Sequence, residues 1–130
     1  MLSHFPIDAG VRFDCAESDL LGFDWPNKSA DFVIPDDEEN VLRVHFGPDV
    51  IVRLLDETPL SIESDASTWK GMVPHHFAYR VEGALFAEHQ CKDWKEVLGP
   101  LKHFLFITGG GCLDVLTQSE PVFEVVPKCC

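Results

Sequence analysis

Six histidines and five cysteines are the residues of this 130-residue chain best equipped for chemistry, and their spacing decides what they could do. His89 and Cys91 lie two apart, hence on one side of a strand, and imidazole with thiolate is a good donor pair for zinc. Adjacent His75 and His76 would point to opposite faces of a strand instead. No CxxC, HxH or HExxH spacing supplies the remaining donors of a tetrahedral site, so no metal is expected. A cysteine nucleophile would be Cys91 or Cys112, activated by His89, His103 or His45. No local signature surrounds either cysteine, and burial as a small apolar side chain is the commoner use. The triglycine Gly109-Gly110-Gly111 could offer backbone N–H groups to a phosphate. A β-patterned segment follows it, however, where a phosphate loop hands over to a helix, and no Lys-Ser/Thr pair is present, so it reads as a flexible turn. No catalytic residue and no cofactor are expected.

Two charged constellations remain. The runs Val41-Leu42-Arg43-Val44-His45-Phe46 and Val50-Ile51-Val52-Arg53-Leu54-Leu55, joined by Gly47-Pro48-Asp49, carry the clearest hairpin signal. A three-residue loop would set Phe46 against Val50, Val44 against Val52 and Leu42 against Leu54, six apolar side chains on one surface. Arg43 would then face Arg53 on the other surface with His45 alongside, a candidate anion-binding group. The competing reading is an ion-pair network, because like charges across a ladder need neighbouring carboxylates, for which Asp56, Glu57 and Glu63 are candidates. The second constellation is the acidic run Asp36-Asp37-Glu38-Glu39, directly after Pro35. It lacks the alternation of a calcium loop, and is expected either to be a solvated loop or to steer a basic partner protein to the surface.

The wider charge distribution sets the partner class. Residues 1–67 hold fifteen Asp+Glu against four Lys+Arg, a net of −11, and residues 68–130 hold seven against six, a net of −1, which together give the −12 of the chain. Such a field attracts basic surfaces and repels phosphate backbones, so nucleic acid is excluded as a partner. A 45% hydrophobic fraction with ten Phe and three Trp is far from the profile of disordered chains. No secretory leader and no apolar run of membrane-spanning length is seen, and the cysteine spacings form no disulfide framework, so a cytoplasmic, soluble protein is expected. Cys129 and Cys130 read as a loose tail.

The elements that must position these groups read as β. His75 to Glu82 alternates, with Phe77, Tyr79 and Val81 on one face and His76, Arg80 and Glu82 on the other. Gly83 is expected to be a bulge continuing into Ala84–His89 as strand, and Leu60–Glu63 is expected to be a further short strand. The unbroken apolar run Phe104–Ile107 marks a central strand covered on both faces. Cys112–Leu116 and Val122–Val126 follow as strands. One short helix is predicted near 92–98, stopped by Gly99-Pro100. Residues 1–35 are expected to be an irregular N-terminal arm packed on the sheet through Phe23 and Trp25. The chain is therefore expected to be a single domain over 1–130, mainly β, an antiparallel β-sandwich or partly open barrel, with α+β as fallback. Its expected function is that of a small acidic interaction domain without catalytic activity, binding a basic protein surface through Asp36, Asp37, Glu38 and Glu39. The alternative is a sandwich or barrel binding a small anionic or apolar ligand, anchored by Arg43, His45 and Arg53.

Overall fold

A computed structural model describes residues 3–55, 70–73, 75–88 and 101–128. Among these residues the chain forms nine strands in chain order: β1 Ser3–Pro6, β2 Leu20–Asp24, β3 Ser29–Val33, β4 Asn40–His45, β5 Val50–Leu55, β6 Ala78–Glu82, β7 Lys102–Ile107, β8 Cys112–Thr117 and β9 Val122–Pro127. A 3-10 turn covers Cys15–Glu17 and a single α-helical turn, α1, covers Leu85–Glu88. The strands make two antiparallel sheets, ordered β1-β6-β7-β8-β5 and β2-β3-β4-β9, which are not closed into a barrel. The fold is thus a mainly β, antiparallel sandwich. Among the described residues no helix is long and apolar enough to cross a membrane.

The sandwich core is built from the inner faces of both sheets. Ala30, Phe32, Leu42 and Val44 of the four-stranded sheet meet Ala78, Phe104, Phe106, Leu113 and Val115 of the five-stranded sheet, all fully buried. Phe32 lies with its ring centroid 5.5 Å from Phe77 and 5.6 Å from Phe106, and Phe77 lies 6.1 Å from Phe106, so aromatic rings fill the centre. The five-stranded sheet is buried on its outer side as well, where Tyr79, Val81, Ala84 and Leu105 form a second cluster with Ile107 against it. This explains the unbroken apolar run of β7: Phe104 and Phe106 serve one core, Leu105 and Ile107 the other, in the middle strand of five.

Four expectations are corrected. Residues 41–46 and 50–55 are strands but not a hairpin: β4 pairs with β3 and β9, whereas β5 pairs with β8 in the other sheet. The Phe46–Asp49 segment crosses between sheets, so Leu42 and Val44 face Val50 and Val52 across the core instead of along a ladder, and Leu54 is exposed. The physical reason is charge. Arg43 stands between Asp31 and Glu124, and Arg53 stands opposite Asp114, where the hairpin would have opposed two guanidinium groups. Residues 1–35 are not irregular, since β1, β2 and β3 lie within them; Phe23 packs on the core, but Trp25 sits exposed in the β2–β3 turn with Lys28 Nζ 3.6 Å over its ring. Phe77 precedes β6 and belongs to the inner core, opposite to Tyr79 and Val81. Beyond Gly83, whose φ of 85° turns the chain, Leu85–Glu88 is helical rather than extended. The expected strand at 60–63 and helix at 92–98 lie outside the described residues, as do Asp56, Glu57, Glu63, His89, Cys91, Cys129 and Cys130.

Candidate functional site

The acidic run is a built turn between β3 and β4. Asp37 accepts at Oδ1 from the backbone N–H groups of Glu39 and Asn40, each at 3.0 Å, and the Asn40 side chain donates to Oδ2 at 3.2 Å. These donors, with Asn40 the largest contributor, hold the Asp37 carboxyl below the usual carboxylate range. Asp37 N–H donates to the Ile34 carbonyl at 3.1 Å and Lys128 N–H to the Glu39 carbonyl at 2.8 Å, which ties the turn to the end of β9. Asp36, Glu38 and Glu39 are exposed and enter no ion pair among the described residues. One of the four carboxylates is therefore structural, and three are free to face solvent.

The proposed anion group is divided between the sheets. On the outer side of the four-stranded sheet, Arg43 donates from Nε to Asp31 Oδ1 at 2.8 Å and from Nη2 to Oδ2 at 3.1 Å, a bidentate pair, and His45 Nε2 lies 2.9 Å from Glu124 Oε2. In the other sheet Arg53 donates from Nε and Nη2 to Asp114 Oδ2 at 3.0 and 2.7 Å. Arg43 and His45 share a strand; Arg53 does not join them. Among the described residues the arrangement found is an ion-pair network, in which Asp31, Glu124 and Asp114 take part; the candidates at 56, 57 and 63 lie outside those residues.

A buried polar group that sequence reasoning missed adjoins Arg53. His103 Nε2 lies 2.7 Å from Asp114 Oδ1, with both side chains almost fully buried, and the ring packs on Phe86 at 5.6 Å. Phe86 also lies beneath the Arg53 guanidinium, 4.5 Å from its centroid. Because a carboxylate only accepts, the facing His103 nitrogen carries the proton; Nδ1 is buried with no hydrogen-bond partner among the described residues. The signal was available: Asp114 is a lone carboxylate in the apolar strand Cys112-Leu113-Asp114-Val115-Leu116, and such a group is not buried without cationic or hydrogen-bonding partners.

The triglycine is committed to close packing. Gly109 N–H donates to the carbonyls of Cys15 and Ser18 at 3.0 and 3.2 Å, while Thr108 Oγ1 donates to the Gly111 carbonyl at 2.7 Å and accepts from Gly110 and Gly111 N–H at 3.3 and 3.0 Å. The Asp19 carboxylate lies against Gly110, where an anionic ligand would be repelled. Cys112 is buried on β8. Among the described residues no group of three or more His, Cys, Asp or Glu is placed to hold a metal ion. No protein-family model, no curated protein and no solved structure matches this chain.

Proposed function

We propose that this protein is an acidic docking domain that occupies a basic surface of a partner protein, with Asp36, Glu38 and Glu39 as its leading contacts. The observation that carries the reading is the uneven use of charge. The basic side chains Arg43, Arg53, Arg80 and Lys102 are taken up by Asp31, Asp114, Glu82 and Glu120, whereas these three carboxylates project from a turn whose backbone is fixed at both ends. A preformed acidic turn costs little ordering entropy on association, and its field acts on encounter before contact. The reading of an interior ligand pocket has less support, because Phe32, Phe77 and Phe106 fill the space between the sheets with one another.

The test uses Asp36→Asn, Glu38→Gln and Glu39→Gln together, leaving Asp37 in place. The fold should persist, since exposed charges contribute little to stability. Paired pull-downs from native extract, wild type against the triple variant, should retain a basic protein on wild type alone. Its association rate should fall roughly threefold or more in the variant, with a flatter salt dependence. Equal recovery and equal association rates on the two baits would reduce the turn to a solubility device.

A further inference from the structure

We infer that the cleft between residues 6–13 and the wall of Val73, His75, His76 and Phe77 binds a small amphipathic anion, an organic carboxylate carrying an apolar tail, with Arg12 as the carboxylate's partner. The cleft has a volume of about 720 Å³, within the range of small-molecule sites, and shares no residue with the acidic turn. Its apolar walls are Ile7, Val11, Phe13, Val73 and Phe77, with the Phe13 and Phe77 rings 4.8 Å apart. Its polar side chains are Arg12, His75, His76 and Asp8.

One observation points to an anion, and a second to a built wall beside it. The chain has four arginines, and three are bound to carboxylates: Arg43 to Asp31, Arg53 to Asp114 and Arg80 to Glu82. Arg12 is exposed, lines the cleft and enters no ion pair among the described residues, in a chain with 22 acidic residues to choose from. A guanidinium left open beside apolar walls presents the planar fork that a carboxylate takes bidentately. The second observation is the construction of the histidine wall. His75 adopts a left-handed backbone, φ 68°, rare for a residue with a side chain, and is held there by its carbonyl accepting from Cys15 N–H at 2.9 Å. Its Nδ1 lies 3.2 Å from Asp14 Oδ2, and Asp14 is itself anchored by Ala16 N–H at 2.9 Å, so the ring is oriented by a carboxylate that the backbone holds in place. His76 Nε2 lies 2.7 Å from the Ile7 carbonyl and ties one wall to the other. Asp8 is the opposing charge; one of its oxygens accepts from Gly10 N–H at 2.8 Å, closing the turn at the cleft edge. The apolar walls ask for a tail as well as a charge, which excludes a purely polar anion.

The experiment is a titration followed by NMR of the Phe13, Phe77, His75 and His76 ring signals, with octanoate below its micelle-forming concentration, octan-1-ol and acetate as probes. Octanoate should move these signals and bind about tenfold or more tightly than either octan-1-ol, which lacks the charge, or acetate, which lacks the tail. Arg12→Gln should remove the advantage of octanoate over octan-1-ol, Arg12→Lys should keep part of it, and Asp8→Asn should not weaken octanoate. Arg12 is exposed, so these variants are expected to fold. Equal binding of octanoate and octan-1-ol to wild type, shifts confined to other residues, or no saturable binding of octanoate would each overturn the assignment.

Discussion

Arg53 and Asp114 stand directly opposite each other on β5 and β8, and two guanidinium nitrogens of Arg53 donate to the same Asp114 oxygen, at 2.7 and 3.0 Å. His103, on the third strand of this row, takes the other oxygen. A carboxylate sunk into the outer face of a sheet is thus offset from two sides. Removing it takes a charged partner from both Arg53 and His103. Asp114→Ala should cost about 3–5 kcal/mol, the usual consequence of breaking a buried ion pair by deleting one partner. Arg53→Ala should cost less, because Asp114 keeps His103 and the Arg53 side chain is already about a quarter exposed. Urea unfolding of the three proteins checks the order, and a smaller loss for Asp114→Ala than for Arg53→Ala would contradict it.

What the sequence made legible is instructive in this same sheet. Period-two alternation and β-branched content located β4, β5, β7, β8 and β9 to within one or two residues, β6 proved shorter than the expected strand at both ends, and the continuous Phe104–Ile107 run correctly implied burial on both faces. Local signals could not assign partners. Gly47-Pro48-Asp49 is good turn chemistry for a hairpin and equally good for a crossing between sheets, and the choice is made by Asp31, Glu124 and Asp114, which lie between 12 and 81 residues away in sequence from the arginines they face. β2 and β3 are weakly signalled, because each is a short, partly polar run, with Pro26 in the turn between them and Pro35 close behind β3. The acidic turn was visible as a run of charge, but the division of labour within it, Asp37 inward and its neighbours outward, is set by Asn40 three residues on.

The β7–β8 turn gives a test of close packing. A side chain at Gly109 would meet the backbone carbonyl of Ala16, which cannot move without disturbing the 3-10 turn, whereas one at Gly110 would meet the Asp19 carboxylate, the mobile end of an exposed side chain. Gly109 also supplies the N–H shared by Cys15 and Ser18. Gly109→Ala should therefore destabilise by about 1–3 kcal/mol, the range for overpacking, and Gly110→Ala by clearly less. Thermal or urea midpoints decide it; equal losses would mean that the turn can slide away from residues 15–18.

The last prediction concerns pH and rests on His4. Its ring is buried against the edge of Tyr79, centroid 5.6 Å away, with Nδ1 3.2 Å from the Lys70 carbonyl. Burial lowers its pKa from the ordinary 6.5; the Lys70 carbonyl and Asp114 pull the other way, and His103 adds to the lowering. With the folded value below the unfolded one, the unfolded chain binds more protons as pH falls through the region under 6.5. The stability tied to neutral His4 is therefore complete above that pH and is lost on acidification through the folded value. Asp14 and Asp37, whose carboxyls are also lowered, act in the same direction but only in the carboxylate range, well below this window. Urea midpoints measured at about pH 7.5 and about pH 5.5 isolate the histidine window. Wild type should lose stability between the two, and His4→Phe, which keeps an aromatic edge against Tyr79 but cannot titrate, should lose less. The difference between the two slopes is the quantity that matters, since the exposed pairs His45–Glu124 and His75–Asp14 are common to both proteins. Parallel slopes would show that His4 titrates alike in the folded and unfolded chains.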